Sequence, residues 1–72
     1  MTKKMKVENN LKRLRFDNDQ MTQEDLAGKL GIARQTVIAI EQGKFNPSVA
    51  LALGMARFFN CRVEDIFTIK ED

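Results

Sequence analysis

The side chains with the most specific chemistry lie in MTQEDLAGKLGIARQTVIAIEQG, residues 21–43. Leu26, Ala27 and Leu30 recur at helical spacing before Gly31, and Val37 and Ile40 repeat the stripe after it. A glycine at that break turns the chain, so about 23–42 reads as two short helices meeting at a tight bend. Gln35, Ile38, Ala39 and Gln42 point away from the stripe. A glutamine amide can pair with N6 and N7 of adenine, and an arginine guanidinium can fork onto O6 and N7 of guanine, both from the major groove. Gln35 and Arg34 therefore have the chemistry of base readers, although on an isolated helix Gln35 would be plain solvated surface. Ala33, Ile38 and Ala39 suit contact with thymine methyl groups, and Ile38 can equally pack at the helix edge. Thr36 offers a hydroxyl to a phosphate or a methyl to a base.

Other chemistries lack material. The 72 residues contain no His, Tyr or Trp, which leaves metal ligation and imidazole acid–base catalysis almost without side chains. Cys61 is the only cysteine, so no internal disulfide is possible, and between apolar runs it reads as a small core residue in a reducing compartment. No apolar run approaches the ~20 residues of a membrane span, and Met1–Lys6 lacks the apolar stretch of a signal peptide, so a cytoplasmic location is expected. No enzyme activity, cofactor, metal or small-molecule ligand is expected. The net charge of +2 is unevenly placed: residues 1–44 carry nine Lys/Arg and six Asp/Glu, residues 45–72 three and four. A basic half suits contact with phosphates.

The elements that must position the reading face follow from the same patterns. Met1–Lys4 is polar and expected to fray. A first helix is expected over about Glu8–Asn18, with Val7, Leu11 and Leu14 inward and Phe16 packing on Met21 across an Asp17–Gln20 turn. Thr22 can cap the second helix, Gln23–Leu30, with Asp25 in the capping-box position. The third spans about Ala33–Gln42 and ends at Gly43. Asn46 before Pro47 favours extended chain, and Ser48 can cap a fourth helix, Val49–Asn60. That helix is apolar nearly all round, with Ala50, Gly54 and Arg57 as a narrow outward seam, so a central position is expected. Val63–Phe67 reads as a short fifth helix with Glu64 and Asp65 in its first turn. The fold class is thus all-α, a compact five-helix bundle in one domain, 1–72. Glu41, inward beside Val37 and Ile40, needs a cation, and Arg15 on the first helix is the natural partner.

The run TQEDLAGKLGIARQTVIAIEQGKFNPS, followed by LALGMARFFNCRVEDIF, resembles the Cro/CI-type helix–turn–helix family, also called the xenobiotic-response-element family. The resemblance covers about Asn9–Phe67 and fixes turn, cap and loop residues together. It implies a lambda-repressor-like bundle that binds operator DNA as a homodimer and regulates transcription, more often as a repressor. In the family the residue matching Gln23 bonds a phosphate at a helix N-terminus, Lys44 and Asn46 fit a second phosphate clamp, and an Arg–Glu pair often stands where Arg15 and Glu41 do. In some short members the flanking segments form a small antiparallel sheet, which here implies Met5–Val7 against Phe67–Lys70. The chain departs from the pattern at Asp19–Gln20, where glycine is common, and at Ala33 and Arg62, where a capping Ser or Thr is usual.

One helix–turn–helix reads few base pairs, so a useful palindromic operator needs two copies about one helical turn, ~34 Å, apart. Val63, Ile66, Phe67 and Ile69 offer more apolar surface than so small a core needs, so about 62–70 is the expected dimerisation segment. The functional expectation is a sequence-specific regulator that binds double-stranded DNA through the major groove. The alternatives are an antitoxin that regulates its own toxin–antitoxin pair and, behind it, a protein-interaction module that no longer binds DNA.

Overall fold

Strands from opposite ends of the chain close a bundle of five helices in a computed structural model that describes residues 5–71. The expected fraying of Met1–Lys4 lies outside the described residues. In chain order the elements are β1 (Met5–Asn9), α1 (Leu11–Asp17), α2 (Gln23–Leu30), α3 (Arg34–Glu41), α4 (Val49–Phe59), α5 (Val63–Ile66) and β2 (Phe67–Glu71). β1 and β2 pair antiparallel, with Val7 opposite Ile69 and Asn9 opposite Phe67. The architecture is therefore mostly helical with a two-stranded sheet, rather than purely α.

Every helix contributes to the core: Leu11 from α1, Leu26 and Ala27 from α2, Val37 and Ile40 from α3, Met55 and Ala56 from α4, and Ile66 from α5. Local chemistry sets the ends of these helices. Thr22 Oγ1 accepts from the Asp25 N–H at 2.9 Å while the Asp25 carboxylate accepts from the Thr22 N–H at 3.2 Å, a complete capping box. Ser48 Oγ accepts from the Leu51 N–H and starts α4. Three helices stop the same way, with a left-handed residue and a bond from the residue after it back to the last turn. These are Ile32 N–H to Ala27 O after Gly31, Lys44 N–H to Ala39 O after Gly43, and Cys61 N–H to Ala56 O after Asn60. The sharp bend between α2 and α3 depends on the first, because Gly31 adopts φ +70° without strain.

Several expectations require correction. The sheet is longer than Met5–Val7 implied, and α1 correspondingly shorter. Glu8 and Asn9 are held in the ladder, the Asn10 N–H donates to Ile66 O, and Asn9 Oδ1 takes the Leu11 N–H, so the helix begins only there. Phe16 is 63% exposed, while Met21 packs on the core. The turn closes instead through the backbone, with Asp19 and Gln20 both at positive φ and the Met21 N–H on Arg15 O.

α4 is not enclosed on all sides either. Val49 is 77% and Leu53 57% exposed, and with Ala50, Gly54 and Arg57 they widen the outward seam into a face. An 11-residue helix packed on one side of so small a bundle cannot bury its whole circumference. Asn60 is its left-handed cap rather than its last helical residue. Phe67 has already left α5 for the strand. Ile66, expected at a dimer surface, is 1% exposed within its own chain and belongs to the core. Of the other residues assigned to that surface, Val63 and Phe67 pack partly on the core, and Ile69 is 62% exposed.

Candidate nucleic-acid interface

The residues assigned to DNA lie on α3, at the start of α2 and in the loop after α3. Val37 and Ile40 anchor α3 in the core, and this turns Arg34 and Gln35 fully outward. Thr36, Ile38 and Ala39 are half-buried and flank that exposed edge. Ala33, Lys44 and Asn46 are exposed at the two ends of the helix. No hydrogen bond or ion pair to another described residue engages the side chains of Arg34, Gln35 or Lys44. Ala33 provides no side-chain cap, and the first bond of α3 is from the Thr36 N–H to Ala33 O. The backbone N–H groups of Arg34 and Gln35 thus face outward with the positive end of the helix dipole.

Behind this face sits a partly buried polar cluster. Arg15 Nε donates to Glu41 Oε2 at 2.6 Å and its Nη2 to Glu41 Oε1 at 2.9 Å, a two-pronged pair whose side chains are 11% and 8% exposed. The same guanidinium donates through Nη1 to Met21 O at 2.7 Å. Gln23 Nε2 adds a bond to Glu41 Oε1 at 3.2 Å. One carboxylate at the end of α3 therefore gathers α1, the α1–α2 turn and the start of α2. Its donors satisfy the charge that the sequence placed inward, and no buried side-chain polar atom among the described residues lacks a partner.

The family resemblance puts Gln23 on a phosphate; the structure places it half-buried, with one amide hydrogen on Glu41. The sequence patterns give Asn9 no role. Its Nδ2 donates to Ile40 O at 2.9 Å and its Oδ1 accepts from the Leu11 N–H, which joins β1, α1 and the C-terminal end of α3 through one side chain. The only sequence signal was an amide at the junction of a strand and a helix, and its α3 partner is 31 residues away. Beside it, a polar cleft of about 550 Å³ opens between Lys6–Asn9 and Glu41–Gly43, with Asn46 on its rim. Partial burial raises the pKa of the Cys61 thiol, with a further contribution from the Asp65 carboxylate.

Two helices at a glycine bend, the second with its polar edge open and its base braced by an ion pair, define a helix–turn–helix protein. Residues 7–66 match the helix–turn–helix family model, and the chain belongs to that family, in its Cro/CI-type branch. It is 58% identical over 52 residues to an HTH-type transcriptional regulator of Methanocaldococcus jannaschii, MJ0272, covering 72% of this chain and 79% of that one. It is 43% identical over 51 residues to the HTH-type transcriptional regulator YgzD of Bacillus subtilis, covering 71% and 77%. Among solved structures it resembles the transcriptional regulator VanUg, with a TM-score of 0.78 and 25% identity over all of this chain and 93% of that one. The protein is a transcriptional regulator with a helix–turn–helix DNA-binding domain. No helix among the described residues is long and apolar enough to cross a membrane.

Proposed function

We propose that this regulator is a sequence-specific repressor that binds a palindromic operator as a homodimer in the cytoplasm, with the lambda-repressor-like mode of docking. The observation that carries the reading is the outer edge of α3, where Arg34 and Gln35 stand exposed and unengaged by any described residue. In the major groove Gln35 reads adenine and Arg34 guanine, while Ile38 and Ala39 lie against thymine methyl groups. Thr36 and Ala33 complete the edge. Lys44 and Asn46 grip the phosphate backbone just past the C-terminal end of α3, and the N-terminus of α2, held beside that same end by the Gln23–Glu41 bond, does so with the second amide hydrogen of Gln23. Repression follows from occupancy of a promoter, which needs no further domain.

Selection of bound duplexes from a random library, at a stated salt concentration, tests this reading. The wild type should recover a two-fold symmetric site, and Gln35→Ala should relax one position in each half-site at a cost of about 1–3 kcal/mol. Lys44→Ala should weaken all sites alike and reduce the salt slope by about one. If Gln35→Ala recovers the same site with the same stringency, Gln35 is not a reader.

A further inference from the structure

We infer that the free edge of β2 is the contact between two copies of this chain, which join β2 to β2 antiparallel in a four-stranded sheet with Ile69 opposite Ile69 on the two-fold axis. The inference rests on the homodimer proposed above and gives that dimer its surface and register.

It starts from the hydrogen-bond phase of the sheet. The Asn10 N–H donates to Ile66 O at 3.1 Å, and the register continues through Glu8 opposite Thr68 and Lys6 opposite Lys70. In an antiparallel ladder alternate pairs exchange bonds, so these three pairs point their backbone groups inward. The backbone groups of Met5, Val7 and Asn9 on β1, and of Phe67, Ile69 and Glu71 on β2, therefore point outward. The two edges differ in what they meet. β1 faces the cleft whose other wall is Glu41–Gly43, and Asn9 reaches across to Ile40 O. On the β2 side, Thr68, Ile69 and Lys70 are all exposed. The Phe67 N–H is already bonded to Val63 O, which leaves the Phe67 carbonyl, both groups of Ile69 and both of Glu71 open along that edge among the described residues.

Self-complementarity selects the register. Centred on Ile69, the two strands exchange two bonds between the Ile69 residues and one from each Glu71 N–H to the opposite Phe67 carbonyl, with α5 left undisturbed. Lys70 then faces Thr68 of the other copy. Centring on Thr68 runs into α5 and halves the bonds. Centring on Lys70 sets two ammonium groups directly opposite each other, which destabilises a strand pair. The favoured register also puts Ile69, 62% exposed, beside its own copy on the face it shares with half-buried Val7. An apolar strip then runs across all four strands. A two-stranded ribbon alone is marginal in water, and an edge without proline or bulge is open to pairing.

Cysteine crosslinking in a Cys61→Ser background tests both partner and register. Opposed Cα atoms of a bonded pair lie about 5.5 Å apart, within disulfide reach. Ile69→Cys should give a covalent dimer on a non-reducing gel, whereas Thr68→Cys and Lys70→Cys alone should not. Ile69→Pro, which removes an outward N–H and spares the ladder to β1, should sediment as a monomer with unchanged helical circular dichroism. Leu53→Lys, on the exposed face of α4, should remain dimeric. A dimeric wild type with no crosslink at residue 69, or one split by Leu53→Lys but not by Ile69→Pro, overturns the β2 contact and leaves the dimeric reading standing. A wild type that is monomeric both free and on its selected DNA overturns both.

Discussion

The Arg15–Glu41 pair makes the sharpest stability prediction. At 11% and 8% exposure, with two bonds of 2.6 and 2.9 Å, each side chain has little water to fall back on when its partner is removed. Arg15→Met leaves Glu41 with only the Gln23 amide and also takes the donor from Met21 O. Glu41→Leu leaves a guanidinium buried against one carbonyl. Breaking a buried pair from one side costs about 3–5 kcal/mol. A domain of this size has a total stability near the lower end of about 5–15 kcal/mol, so either single change should leave it barely folded. At 4–8 °C per kcal/mol, the midpoint should fall by roughly 12 °C or more. The double variant Arg15→Met/Glu41→Leu removes both charges together and should recover most of the loss, since apolar replacement of a whole buried pair is often neutral. Urea denaturation of the four proteins closes the cycle. Single losses under about 1 kcal/mol, the level of a surface ion pair, would mean that the pair is solvated in effect, and a double variant that loses the sum of the two would mean that its members are uncoupled. The double variant also separates folding from positioning. If the pair orients α3, this protein should fold yet bind its selected DNA more weakly than wild type.

Three further outcomes can be measured on the same footing. Asn9→Ala removes the bonds to Ile40 O and from the Leu11 N–H, and should cost about 1–3 kcal/mol by urea denaturation, more than an exposed amide would. Ile66→Asp should unfold the monomer because the side chain is buried in the core, whereas Leu53→Lys should stay within about 0.5 kcal/mol of wild type; thermal melts of the two decide between core and surface roles. Gln20→Gly should raise stability by up to about 1 kcal/mol, because Gln20 holds φ +53° in the turn before α2; no gain in denaturation midpoint would mean that the turn is unstrained.

Much of the reading face was legible because it depends on local rules. Helical spacing together with Gly31 set the bend, and Thr22 with Asp25 set the start of α2. The inward position of Glu41 called for a cation, and only a few residues could supply one. α4 was less legible, because periodicity records which residues are apolar and not how much of a helix the rest of the domain can cover. Val49 and Leu53 look the same in sequence as Met55, yet they remain outside.

Sequence alone therefore determined the helix–turn–helix, its caps and the side chains on its outer edge, since each follows from interactions within a few residues. Tertiary structure decided which long-range partners those residues meet. It brought Asn9 to the end of α3, drew Gln23 onto Glu41, moved Ile66 from surface to core and left β2 with an open edge. Those outcomes depend on how the two ends of the chain close around the bundle. A pattern with a period of two or 3.6 residues carries no information about contacts thirty or sixty residues away.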